Sequence, residues 1–113
     1  MPLTYKILGQ KNPATGANVE LYKVPAATQT VVSSINICNV GAPGSSFRVA
    51  VREANAAQAV NQFLAFDTIV AGGDTIILNM GVTLGNAGVT GDTVYVTANT
   101  ANLSFNLFGS EIT

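Results

Sequence analysis

The sequence has no histidine, no tryptophan and a single cysteine, with five basic and six acidic side chains among 113 residues. Each shortage excludes something. Without histidine there is no Ser-His-Asp or Cys-His catalytic arrangement, and the commonest transition-metal ligand is missing. A lone thiol, Cys38, allows neither an intrachain disulfide nor a structural zinc site. On its strand it reads as a small half-buried filler. A net charge of −1 leaves no basic stripe for nucleic acid. No apolar run approaches the roughly 20 residues of a membrane helix, so no membrane partner is expected. The start, "MPLTYKILGQ", lacks a basic segment followed by an apolar stretch, and is not expected to be a signal peptide.

The remaining chemistry is thin. Asp67, Asp74 and Asp92 each precede threonine, but no Asp-Thr-Gly follows. "VGAPGSS" has no Gly-Lys-Ser/Thr after it and so cradles no phosphate. The carboxylates are scattered, whereas a glycosidase needs two facing across a cleft. "GGDTIIL" and "TGDTVYV" echo each other, each opening a strand with Gly-Asp-Thr. Calcium wants six to eight oxygens (about that many) from carboxylates packed in one loop, and each loop here offers one carboxylate. Turn chemistry explains the echo better: Gly takes a positive φ, Asp bonds nearby backbone, and Thr begins the strand. "NLS" at Asn102 fits the glycosylation pattern but falls within an expected strand. No enzyme, metal or cofactor is expected.

What is present is alternation. Charged residues make up 10% of the chain, against about 25% in an ordinary soluble domain. Yet 48% is hydrophobic. Period-two stretches punctuated by Gly, Pro and Asn run from "TYKILG" through "VELYKV", "TQTVVSSINICNV", "SFRVAVRE", "QFLAFDT", "DTIILNM" and "DTVYVTAN" to "ANLSFNLF". In the longest, strict alternation sets Val31, Ser33, Ile35 and Ile37 against Thr30, Val32, Ser34, Asn36 and Cys38. "EANAAQAVNQ" breaks the pattern and reads as one or two helical turns or an ordered loop. "GVTLGNAGVTG" reads as a turn-rich connection. About eight short antiparallel strands predict an all-β fold, a single β-sandwich or jelly-roll-like domain over 1–113. Within it, 1–10 could be an extended N-terminal arm and 109–113 could lie along a neighbour.

The outward positions are largely Ser, Thr and Asn. Low charge reduces the cost of desolvating a face against a neighbour, and small polar groups can bond across an interface or to trapped water. Uncharged edges also permit strand pairing between chains. The faces therefore read as contact faces.

The strings "LYKVPAATQTVVSSINICNVG", "FRVAVREANAA" and "TVYVTANTANLSFNLFGSEIT" resemble small virion structural proteins of tailed bacteriophages, particularly those of cyanobacterial and marine hosts. The resemblance runs from about Tyr5 to the C-terminus and is strongest at "YKVPAAT" and "SFNLFGSEIT". Members tend to carry Pro and Gly after "AVR", where this chain has "EANAAQAV". The resemblance implies a non-enzymatic protein of the phage particle, made in the bacterial host cytoplasm.

Three roles follow. The first is a capsid decoration or cement protein that bridges subunits of the major capsid protein, as a homo-oligomer with a trimer favoured. The second is a neck, tail or fibre-associated structural protein contacting other virion proteins. The third is a host-surface carbohydrate-binding β-sandwich, disfavoured by the lack of tryptophan and the presence of only three tyrosines. Expected interface residues are Arg48, Arg52 and Tyr95 on outward faces, with Phe108 and Glu111 in the terminal segment.

Overall fold

As the chain runs it crosses repeatedly between two layers. The computed structural model describes residues 2–86 and 90–113. They form β1 (Leu3–Lys11), β2 (Asn18–Lys23), β3 (Gln29–Asn39), β4 (Ser45–Arg52), β5 (Phe63–Val70), β6 (Thr75–Gly85), β7 (Thr93–Ala98) and β8 (Leu103–Ile112). One sheet has the order β1-β8-β3-β6 and the other β2-β7-β4-β5. All pairings are antiparallel. This is a β-sandwich with jelly-roll strand order, the fold class that the alternation predicts. β1 lies over β2, so β6 and β5 are the edge strands on the opposite flank.

The core forms because the inward positions of both sheets are branched or aromatic. Ile35, Ile37, Leu103, Phe105 and Leu107 meet Phe47, Val49, Val94, Val96 and Ala98, all essentially excluded from solvent. Phe47 and Phe105 bridge the layers edge to face, with centroids 6.1 Å apart. β4, β7 and the first part of β8 keep the strict alternation read from the sequence.

β3 does not. Its inward set is Thr30, Val32, Ile35 and Ile37, so the parity changes midway. Val32 pairs with Gly109 and Ser34 with Phe108, leaving Ser33 as an extra residue in β3. A bulge of this kind switches the side on which all later residues emerge. The strict two-face reading of "TQTVVSSINICNV" is corrected accordingly: Val32 goes inside and Val31 outside. β1 carries its own extra residue, Leu8, against the same Phe108. β6 has two extra residues, Met80 and Gly81, the latter with φ +59°, so its even positions face inward throughout.

Other elements depart from the expected bounds. β6 continues through Gly85, where a turn-rich connection is expected; Val82 and Leu84 find partners in Val32 and Thr30, and Gly81 makes a bulge there instead of a turn. Residues 87–89 of that connection lie outside the described residues. The stretch foreseen as an arm contributes Leu3–Gln10 to edge strand β1, paired with β8, and Met1 lies outside the described residues. The terminal segment is the end of β8, held between β1 and β3, where Ile112 pairs with both Leu3 and Gln29. It does not project as a free tail. The Ala-rich segment forms two short 3₁₀ turns, Glu53–Asn55 and Val60–Gln62. Both Gly-Asp-Thr aspartates bond backbone: Asp74 accepts from Thr75 N–H, and Asp92 from the N–H groups of Ala54 and Gly85.

Two phenylalanines three residues apart on β8 separate core from surface. Phe105→Ala should lower the unfolding free energy in urea by about 3–5 kcal/mol. Phe108→Ala, on the outer side of the same strand, should cost less than about 1 kcal/mol. Equal losses would contradict the assigned facing.

Candidate assembly surfaces

The outer face of the β1-β8-β3-β6 sheet is uncharged. Those strands contain three charged residues, Lys6, Lys11 and Glu111, and each emerges on the inner side. Lys6 pairs across the ladder with Gly109 and Lys11 with Phe105, both inward positions. Glu111 reaches Tyr22 of the other layer. What remains outside runs in rows across the sheet: Leu3 beside Ile112, Tyr5 beside Ser110 and Val31, Ile7 beside Phe108 and Ser34, Gln10 beside Asn106, Asn36 and Ile77. Tyr5 is 80% exposed, and Leu3, Ile7 and Ile77 are each about half exposed. The face grades from apolar at the Leu3 end to amide-rich at the other, where Gln10 Nε2 donates to Asn106 Oδ1 at 2.7 Å. Cys38 sits half-buried on β3.

The outer face of the β2-β7-β4-β5 sheet is built differently. Arg48 donates to Asp67 at 2.7 and 3.2 Å, and its guanidinium lies 4.0 Å from the Phe66 ring centre. Phe66 meets Phe63 edge to face at 4.9 Å. Asp67 holds a positive φ of 52° within a bulge, which turns its carboxylate toward Arg48. The bond from Arg48 holds the Asp67 carboxyl below its ordinary range, and Asp67 in turn raises Arg48. Arg52 stacks 3.7 Å over Tyr95 and donates to Gln58 at 2.6 Å. Gln58 also accepts from Asn18 at 3.1 Å, tying the Ala-rich loop to β2.

The five residues expected at an interface thus fall in three places. Arg48, Arg52 and Tyr95 share the second outer face, Arg48 stacked on Phe66 and Arg52 on Tyr95. Phe108 lies on the first outer face. Glu111 points into the end of the sandwich, where its carboxylate accepts from Tyr22 Oη at 2.5 Å and pairs with Lys6 at 3.3 Å. Tyr22 Oη also shares a 2.7 Å hydrogen bond with Thr30 Oγ1. The sequence reading missed Leu3, Tyr5 and Ile7 as surface residues. Their alternation was visible, but it looks the same for an inward set as for an outward one.

No metal-type cluster of three His, Cys, Asp or Glu side chains occurs among the described residues. A depression of about 220 Å³ lies beside the Arg48–Asp67 pair, with Thr97 and Asn99 on its wall.

The chain matches no protein-family model and no curated protein sequence. Solved structures do resemble it. A chain of the infectious bursal disease virus Gx strain superposes with a TM-score of 0.57 at 11% identity, over 97% of this chain and 32% of that one. A chain of the T13 particle of the same virus gives 0.55 at 10% identity, over 97% and 30%. This chain therefore spans about a third of the length of each. At such identity the likeness is one of fold.

Burial first, and the bond to Glu111 second, push the Tyr22 hydroxyl above its ordinary 10.0. The folded chain therefore keeps this proton to higher pH than the unfolded chain does. Stability from the group is complete below pH 10 and is lost as pH rises beyond it. The stability advantage of wild type over Tyr22→Phe should accordingly narrow between about pH 8 and about pH 10.5 in urea titrations. A constant gap would show that the phenol does not carry that shift.

Proposed function

We propose that the chain is a non-enzymatic structural protein of a phage particle, acting as a capsid decoration or cement protein that attaches to the major capsid protein and bridges its subunits. The observation that carries this reading is the uncharged outer face of the β1-β8-β3-β6 sheet, with Leu3, Tyr5, Ile7, Phe108 and Ile112 gathered at one end. Large apolar side chains collected on one wet face mark an interaction site. Here no charge must be stripped of water when the face is covered, so burial costs little beyond the ordering of side chains. Two further observations support a place in a virion: the fold is shared with chains of the infectious bursal disease virus particle, and the sequence resembles small phage virion proteins.

The second outer face gives a decoration protein its other contact. Arg48, Arg52 and Tyr95 are held by stacking and by Asp67 and Gln58, which presents planar, pre-ordered groups to a neighbouring subunit. Order of this kind lowers the entropy lost on contact. A position in the neck, tail or fibre would use the same two faces on another virion protein. A host carbohydrate is the weaker reading. The depression beside Arg48 and Asp67 is its structural support, but those two groups already satisfy each other.

Co-sedimentation with undecorated phage shells tests the proposal. Tyr5→Lys with Ile7→Lys should weaken attachment by about tenfold or more, because two unpaired charges must then be desolvated. Its melting temperature should stay close to wild type. Arg48→Glu with Arg52→Glu should weaken attachment less. Full attachment by the lysine pair would refute the role of the uncharged face, and failure of wild type to bind any shell would refute decoration.

A further inference from the structure

A sandwich of two open sheets has four edge strands, and the four are not alike. β1 carries Lys6, Lys11 and a bulge. β2 is short, with Glu20, Lys23 and a bulge at Leu21. β5 has Asp67 and two register breaks. Charges and bulges of these kinds block pairing with another chain. β6 runs for 11 residues, TIILNMGVTLG, without a charge or a proline. Its one irregularity, the bulge at Met80 and Gly81, leaves Thr75–Asn79 in unbroken register with β3.

We infer that β6 is a self-recognition edge, and that two copies of this chain pair antiparallel through Thr75–Met80 about a two-fold axis at Leu78. The inference rests on the reading of the chain as an assembling virion protein and names the contact between copies.

Backbone direction sets the register. The Asp74 carbonyl accepts from Asn39 N–H, directly opposite it on β3. Polar groups of successive strand residues point to alternate sides. Those of Ile76 and Leu78 therefore face β3, and those of Ile77 and Asn79 point away from it, to the edge. An axis perpendicular to the sheet keeps inner faces inner, so it must relate residues of the same parity. With the axis at Leu78, Ile77 of one copy stands opposite Asn79 of the other and the two exchange both backbone hydrogen bonds. Leu78 then meets its own copy in a non-hydrogen-bonded pair, where Cα atoms approach to about 4.5 Å. The ladder ends at Thr75, whose N–H is already taken by the Asp74 carboxylate at 2.8 Å.

Side chains agree with this register. Ile76, Leu78 and Met80 are only half-buried against the core. Across the axis Ile76 would cover Met80, and Leu78 would cover Leu78, so three partly wet apolar groups close over one another. Leu64, Phe66 and Ile69 of neighbouring β5 are exposed on the outer face of the second sheet and stay outside this contact. Nothing in the segment sets like charges together. The assembly is two-fold, in place of the trimer favoured from sequence.

Sedimentation equilibrium across a concentration series should give twice the 11.6 kDa chain mass. Asn79→Pro removes an N–H that points away from β3, a change edge strands tolerate, and should return the mass to that of one chain. In a Cys38→Ser background, Leu78→Cys should oxidise to a disulfide-linked dimer, because the expected Cα spacing lies in the disulfide range. Thr83→Cys, beyond the bulge, should not. A monomer at every concentration, a trimer, or a Leu78→Cys chain that fails to cross-link would overturn the pairing. Shell attachment, measured on the same samples, separates the two claims. Attachment by a monomer overturns the pairing alone, whereas dimers that bind no shell overturn the virion reading and leave the pairing standing.

Discussion

The extra residue in β3 governs the sheet that contains it. Ser33 has no counterpart in β8, so Thr30 and Val32 turn inward on one side of it while Ile35 and Ile37 turn inward on the other. Without the bulge, burying Ile35 and Ile37 would drive Val32 out into water and pull Val31 into the core. β1 solves the same problem with Leu8, while β6 has two extra residues, Met80 and Gly81, and keeps the same inward set on both sides. β3 and β1 thus shift phase at one level around an uninterrupted β8, whereas β6 keeps its parity. Gly109 sits just beyond that level, where a Cβ would stand 2.2 Å from the Val31 carbonyl. That crowding leaves room for glycine alone.

The apolar part of the outer face is a consequence of that phase shift. Gly9 and Lys11 of β1 lie opposite inward residues of β8, whereas Leu3, Tyr5 and Ile7 lie opposite outward ones. All are odd positions. Leu8 reverses their sense, so apolar side chains that would otherwise continue the inner face are displayed outside. Lys6 is carried inward by the same reversal and is met by Glu111. Tyr22 and Thr30 satisfy the other side of that carboxylate, as a charge near the core requires. That one bulge therefore takes the Lys6 charge off the outer face and supplies Leu3, Tyr5 and Ile7 to it.

The two outer faces suit different partners. On one, desolvation is cheap because charge is absent. On the other, Arg48 and Arg52 lie over Phe66 and Tyr95 with their polar ends already bonded, so order is present before any neighbour arrives. The proposed role, beside many copies of itself and of a shell subunit, would use contacts of both kinds.

Much of this was legible in the chain itself. The alternation in "SFRVAVRE", "DTVYVTAN" and "ANLSFNLF" determined which residues of β4, β7 and β8 enter the core, because the strand period admits one inner set wherever the count is unbroken. The scarcity of charge determined that some faces would be uncharged, and turn chemistry set the role of Gly-Asp-Thr. Tertiary structure alone decided where the count breaks. Ser33, Leu8 and Met80–Gly81 are ordinary residues whose extra position exists only relative to a partner strand, and that partner is distant in sequence. It likewise decided that Glu111 ends beside Tyr22 and Lys6, and that Phe108 and Arg48 stand on opposite faces. Those relations come from inserting β8 between β1 and β3, a long-range pairing of which no local pattern carries a trace.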